Sequence, residues 1–341
     1  MPAESPQLTI RELKSSEYKL WDSLVTSSSV GTVFHESFWL ITCHDTINGN
    51  LHLYGCFNDN NDLVAGCPLF ENKRFGLKYG SAILKNSMVP YGGFLYQNEI
   101  SDNIRRKEQH LREYVQAFHE YFKIHQFDLI TMILPPGLID IRPFLYYEWN
   151  EKIHYTYTIN PKIKNYQKGM KGNIKKAIQH GIKIEKYEHN DGIRKFFSLL
   201  QDTYQRHGLS VPCSERYLRA IYDYLKEKGR AELWIALTKE GEWSAAELFI
   251  NDHNCPHRWL AATSTKYIKT ESSSLLLETI FDKYASENNK YVNLMAGNIS
   301  ELSSFISGFN PVLSPYLHIE HMSKKFKIWN YVKSGIFITM R

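Results

Sequence analysis

The sequence predicts a mixed α/β chain made of two similar domains, each a mostly antiparallel sheet with flanking helices, and three observations carry that expectation. First, 341 residues exceed what one ordinary hydrophobic core organises. Second, residues 231–298 read strand, turn, strand, strand, helix, strand. Third, the same grammar occurs earlier in the chain. LYGCFNDNNDLVAGCPLFE matches LWIALTKEGEWSAAELFI in pattern, with Tyr54 opposite Trp234, and HLREYVQAFHEYFKIHQFDLITMIL matches SLLLETIFDKYASENNKYVNLMAG. Two copies at so long a period indicate domain duplication and not a repeat array.

In order, residues 16–25 and the run opened by FHESFWL read as helices, and LHLYGCF and LVAGCPLFE as a hairpin turning at Asn58-Asp59-Asn60-Asn61-Asp62. The tract 78–96, with Gly80, Pro90, Gly92 and Gly93, breaks regular structure before GGFLYQ resumes it as a strand. From Ser101 a polar helix with Leu111, Val115, Phe118, Tyr121 and Phe122 on one side leads into the strand QFDLITMIL. In the second half AELWIAL and AAELFI flank the charged turn Lys239-Glu240-Gly241-Glu242, and HRWLAATS adds a third strand. Thr270-Glu271-Ser272-Ser273-Ser274 then offers N-caps to a helix whose Leu276, Leu277, Ile280, Phe281 and Tyr284 recur at helical spacing. Asn288 and Asn289 stop it, and KYVNLMAG follows as a short strand. The domain break is expected at 149–162, which gives domains 1–155 and 156–325. Residues 326–341, basic and aromatic, form a docking segment whose alternative role is peripheral contact with an anionic membrane surface.

Composition narrows the function classes. A net charge of +5 suits an anionic ligand and lies far below that of a dedicated nucleic-acid binder, so DNA is not expected as a partner. MPAESPQLTI has neither a basic nor an apolar leader region, and no stretch approaches the roughly 20 apolar residues of a membrane span. A cytoplasmic protein is the expectation. The five cysteines include no C-x-x-C pair, so neither a disulfide framework nor a metal site is expected. Walker, Rossmann, HExxH and GxSxG motifs are absent, which leaves direct group transfer as the chemistry to consider.

The most unusual local feature is NYQKGMKGNIKKAIQHGIKIEK. Tyr166, Met170, Ile174 and Ile178 define a narrow apolar helix face, and Lys164, Lys168, Lys171 and Lys175 fall on a different stripe. Four like charges in one row read either as a solvated face or as a site for a phosphorylated ligand. Gly169 and Gly172 add an expectation of close backbone approach.

Residues 166–184, with KGNIKKAIQHGIKI, are similar to the basic helix of the FemAB-like acyltransferases. The order that follows fits as well: FFSLLQDTYQRHGL, AELWIAL, AAELFI, the Ser-led helix, YVNLMAGN and ELSSFISGFNPVLSPY. In the first half, VFHESFWL and the YGGFLY tract occupy the expected places. The resemblance implies two tandem GNAT-like domains. It also implies transfer of an acyl or aminoacyl group to an amine, with a phosphorylated or lipid-linked cell-envelope precursor as acceptor. Two positions depart from the pattern. Ile306 stands where aminoacyl-tRNA-dependent members carry lysine, and residues 266–274 lack the glycines of an acetyl-CoA loop.

The expected activity is therefore N-acyl transfer from a thioester, with acyl-CoA as co-substrate and a sugar or peptidoglycan precursor as acceptor. Its alternatives are a bridge aminoacyltransferase that uses tRNA and a non-catalytic binder of the same precursor. Glu247, a carboxylate inside the apolar run AAELFI, must pair, face solvent or act as general base, and the last is its catalytic candidacy. Arg206 corresponds to a family arginine implicated in substrate binding, and Tyr204 is grouped with it. Lys164, Lys168, Lys171 and Lys175 are expected to join Arg206 in one anion site at the mouth of an inter-domain cleft. Ser272, Ser273 and Ser274 are caps that also hold the donor. Asp202 and His207 stand in reserve.

Overall fold

The computed structural model describes residues 8–98 and 103–339, with side chains described as far as Val332. The stretch MPAESPQ, the helix start expected at Ser101 and the last two residues of the docking segment lie outside the described residues. The chain forms two compact units, Met1–Ile153 with Tyr316–Arg341, and His154–Pro315.

The first unit contains β1 (Thr9–Glu12), α1 (Tyr18–Ser27), α2 (Ser37–Ile47), β2 (Asn50–Phe57), β3 (Leu63–Arg74), β4 (Leu77–Ser81), β5 (Leu95–Tyr96), α3 (Ile104–Ile124), β6 (Leu129–Ile133) and α4 (Arg142–Leu145). The chain passes into the second unit along β7 (Asn150–Ile159). There it forms α5 (Lys168–Gln179), β8 (Lys183–Lys186), α6 (Gly192–Arg206), α7 (Glu215–Glu227), β9 (Ala231–Leu237), β10 (Trp243–Asn251), β11 (Pro256–Thr263), α8 (Ser272–Ser286), β12 (Val292–Met295) and α9 (Ser300–Ser307). It leaves along β13 (Val312–Met322), whose end lies in the first unit, and α10 (Lys324–Thr339) follows.

The sheet of the first unit runs β1-β2-β3-β4-β6-β13, with β5 on β3. β2 and β3 are the expected hairpin, in register from Asn50↔Glu71 to Gly55↔Gly66. Its LVAGCPLF run is buried throughout, as a strand covered on both faces requires. Pro68 is tolerated there because β5 pairs only with Ala65 and Gly66 and the pairing of β3 with β4 begins at Phe70, so no ladder bond is demanded of it on that side. The glycine-rich tract departs from the expectation at both ends: its first residues form β4, so regular structure breaks only after Ser81, and the strand expected from GGFLYQ is just Leu95–Tyr96 with one bridge, Gly92↔Ile133. β4 and β6 form a parallel pair in register at Tyr79↔Leu129, Gly80↔Ile130 and Ser81↔Thr131. Trp21, Trp39, Phe34, Tyr91, Phe94 and Phe144 fill this unit's core.

The second unit's sheet runs β7-β12-β11-β10-β9-β8. Alternation along β9 and β10 sends Ala236, Ala245 and Phe249 towards α5 and α8, where Tyr166, Met170, Ile174, Leu276, Leu277, Ile280 and Phe281 meet them. Leu233, on the other face, packs at the start of α6 against the Gly192 backbone. Helices α5 and α8 therefore cover one face of the sheet, and α6 covers the other with α7. Burying each of these large side chains contributes about 1.5–3 kcal/mol, which is why helical periodicity located α8 from sequence.

Candidate active site

The sheet of the second unit is open where β11 and β12 meet. They run parallel but share only one register pair, His257↔Asn293, and the rest of β11 runs on without a β12 partner. Asn293 anchors the closed end: its Oδ1 accepts from Thr156 Oγ1 at 2.7 Å and from the Met295 amide at 3.0 Å. Each strand also carries an irregularity. Trp259 is an extra residue in β11, since Leu248 pairs with Leu260 and Phe249 with Arg258. β12 ends at Met295 and Ala296, both left-handed with φ of 59° and 62°. Gly297 follows, and a Cβ there would lie 2.3 Å from the Tyr155 carbonyl oxygen. Strained non-glycine backbone of this kind collects at functional sites.

The start of α8 lies at the end of β11, held by a 2.8 Å hydrogen bond between the Ser273 and Thr263 hydroxyls. This N-terminus has no side-chain cap. The position before it is Glu271, left-handed at φ 59°, and its carboxylate reaches towards Lys176 at 3.5 Å and away from the amides. The expected capping role of the serines is thus corrected: Ser273 bonds Thr263, while the hydroxyls of Ser272 and Ser274 are buried with no hydrogen-bond partner. The Ser274 amide turns back to the Glu271 carbonyl at 3.0 Å, and a first turn without a side-chain cap, the positive end of the helix dipole and two unsatisfied hydroxyls together make a place suited to an anion. The glycine-free segment before it is a short 3-10 helix, Thr265–Thr270.

Arg206 steadies the same region. Its Nη1 donates to the Thr263 carbonyl at 3.0 Å and to Thr265 Oγ1 at 3.3 Å. Asp202 accepts from the Thr265 amide at 2.7 Å, and Thr203 bonds the Thr263 amide through its hydroxyl. The end of α6 therefore clamps the segment that leads to the open strands. Tyr204 is half-buried, and burial raises its phenol pKa; His207 is exposed beyond the helix.

The base candidate needs correction. Glu247 is 1% exposed and bound through both oxygens to Arg258, Nε to Oε2 and Nη2 to Oε1, each at 2.8 Å. Burial pushes its carboxyl pKa up and the Arg258 charge opposes that push. A carboxylate so enclosed is out of reach of an acceptor amine, and its role is to tie β10 to β11 beside the Trp259 irregularity. Sequence reasoning missed Arg258, although opposite charges inside two adjacent apolar strands of one hairpin were the available signal.

The lysine stripe is corrected as well. α5 begins at Lys168, so Lys164 precedes it and pairs instead with Asp282 of α8 at 2.6 Å. Lys168, Lys171 and Lys175 are exposed, on a helix that covers the opposite sheet face from α6 and Arg206. These lysines and Arg206 are not brought into one site. Ile178 faces solvent while Ala177 takes the inward place, and a Cβ at Gly169 or Gly172 would meet open space, so no close approach explains those glycines.

Residues 164–301 match the model of the acetyltransferase (GNAT) domain. Among curated proteins no sequence matches the chain. Among solved structures it is similar to FemX (TM-score 0.67, 13% identity, 93% of this chain and 98% of that one). It is similar as well to L-PGS from Bacillus licheniformis (TM-score 0.57, 10% identity, 91% and 92%) and to a tandem GNAT protein from the clavulanic acid biosynthesis pathway (TM-score 0.54, 9% identity, 93% and 98%). At these identities the likeness is one of fold. Taken with the single-pair opening beside α8, it gives the chain a tandem GNAT fold like that of FemX, in which residues 164–301 match the GNAT acetyltransferase domain.

Proposed function

We propose that this protein is an N-acyltransferase that moves an acyl group from a thioester, acyl-CoA, to an amine on a phosphorylated cell-envelope precursor. The observation that carries the reading is the uncapped start of α8, with the orphan hydroxyls of Ser272 and Ser274, at the open end of β11. That arrangement suits the phosphates of a coenzyme, with backbone amides and serines in place of a glycine loop. The thioester then lies along the unpaired part of β11, where backbone N–H groups steady the oxyanion. The amine nitrogen attacks the thioester carbon, the C–N bond forms, the C–S bond breaks, and the thiol leaves with the proton that the nitrogen gives up through water. Asp202, Thr203 and Arg206 position the segment and do not touch the reacting atoms.

Ile306 favours this donor over aminoacyl-tRNA. It is fully buried in the apolar cluster with Phe309, so no cation stands at that place to steady charge on a tRNA-borne substrate. L-PGS and FemX, as structural neighbours, support an envelope-directed acceptor. Among the described residues no helix is long and apolar enough to cross a membrane. The test is to supply acyl-CoAs and charged tRNA in parallel, with nucleotide-linked and lipid-linked amine acceptors, and to follow thiol release and acceptor mass. Transfer from charged tRNA with none from acyl-CoA would overturn the donor assignment. Precursor binding without transfer from either donor would leave only a binding protein.

A further inference from the structure

The turn between β10 and β11 gathers Asp252, Cys255 and His257 within six residues, and acyl transfer uses none of them. Their donor atoms all lie within 4.8 Å of one another. His257 Nε2 is 2.7 Å from Asp252 Oδ2 and 3.8 Å from Cys255 Sγ. The turn itself sets this up. Asp252 Oδ1 accepts from the amides of Asn254 at 2.8 Å and Cys255 at 3.0 Å, which directs Oδ2 towards the imidazole. His257 is fixed by its register opposite Ile250. Tyr291, just ahead of β12, lies close enough to Cys255 and Asp252 for both to act on its phenol and is 40% exposed, so it offers an oxygen donor and a route to solvent.

We propose that Asp252, Cys255 and His257 bind a divalent cation of the zinc type, with the Tyr291 hydroxyl or a water in the fourth position. A carboxylate, an imidazole and a thiolate form the mixed O, N, S set that a borderline-soft tetrahedral ion prefers over calcium or magnesium. Metal–ligand bonds of about 2.0–2.3 Å place tetrahedral donors roughly 3.3–3.8 Å apart. The Cys255–His257 separation already has that value. The Asp252–His257 separation is shorter, as a shared proton draws the pair together. On binding, that proton and the thiol proton leave to solvent and the metal takes their place. The site has a structural consequence, because His257 forms the one register pair that joins β11 to β12. A metal held there pins the closed end of the opening on which the donor site depends.

The test uses full-length protein purified without a histidine tag or chelator. Elemental analysis should find about one zinc per chain. After removal, zinc titration should restore the metal and raise the melting temperature, and cobalt should give a sulfur-to-metal charge-transfer band. Cys255→Ser and Asp252→Asn should each weaken zinc binding on the order of 100-fold while near-ultraviolet circular dichroism stays that of a folded chain. Cys213→Ser, outside the turn, should bind as wild type does. Wild-type protein that holds no zinc and takes up none on titration overturns the proposal, and so does zinc bound equally by wild type and Cys255→Ser.

Discussion

Among the described residues each unit contains a parallel strand pair whose connection carries a long helix, α3 between β4 and β6 and α8 between β11 and β12, and the two pairs differ in a way that separates scaffold from site. In the first unit β4 and β6 are in register at three consecutive positions, and the Ala82 amide extends the ladder to the Thr131 carbonyl at 2.9 Å. Thr131 also donates its hydroxyl to Ser81 at 3.1 Å, and Asn103 caps α3 by accepting from the Arg106 amide. In the second unit β11 and β12 share a single pair and α8 is uncapped. A saturated strand pair and a capped helix leave nothing to bind a ligand, whereas missing ladder bonds and a missing cap leave amides that need one. The parallel pair is thus closed in one unit and open in the other.

That contrast can be broken from its strongest side first. Arg258→Met should cost about 3–5 kcal/mol in urea unfolding, because it leaves Glu247 buried without its partner, and Glu247→Leu in the same chain should restore most of the loss. A silent single substitution would mean that the ion pair does not tie β10 to β11. Next, Ser273→Asp places a carboxylate at the uncapped end of α8. Acyl-CoA binding by calorimetry should fall roughly 10- to 150-fold, about 1.5–3 kcal/mol, with stability kept or slightly raised. Undiminished binding would move the donor elsewhere.

The closed unit predicts the converse. Asn103→Ala should cost about 1 kcal/mol of stability and leave donor binding as it was. Acid should reach this unit through His321, whose pKa is pushed down to about 4, first by burial and then by the nearby His119 and Lys327. The unfolded chain titrates near 6.5, so it binds the extra proton between these values. Stability is then full above about pH 6.5 and declines towards pH 4, by on the order of 1 kcal/mol because the ring is partly solvated. Trp149, with its ring 5.5 Å from His321, should report the change in fluorescence, and His321→Phe should flatten it. The smallest effect is expected from Lys171→Gln with Lys175→Gln, which should shift donor binding by less than about twofold, since both side chains face solvent.

What the sequence showed followed what periodicity can show. α8 and the two hairpins were legible because Leu276, Leu277, Ile280, Phe281 and the LVAGCPLF run bury continuous apolar faces. α7 carries the same signal: Tyr217, Leu218, Ile221, Tyr222 and Leu225 recur at helical spacing behind Ser214, which caps the Tyr217 amide. The opening of β11 from β12 was not legible, since one register pair or three is decided by twist and by the Met295–Gly297 bend and not by residue pattern. The same holds for Glu247, whose partner depends on the Trp259 irregularity that turns Arg258 to the same face. Lysine spacing gave a stripe but not its surroundings, and the placement of α5 decided what the stripe faces.

β13 gives the first unit a timetable of its own. β6 ends at Ile133, yet the strand that pairs with it, from His318↔Ile133 to Met322↔Leu129, is made from the far end of the chain. At about 5–20 residues per second, synthesis leaves that edge of β6 without its partner for roughly 10–40 s, during which the whole of the second unit emerges. The unit that starts first therefore finishes last, and its waiting edge is the place where a nascent chain most needs protection from pairing with a neighbour.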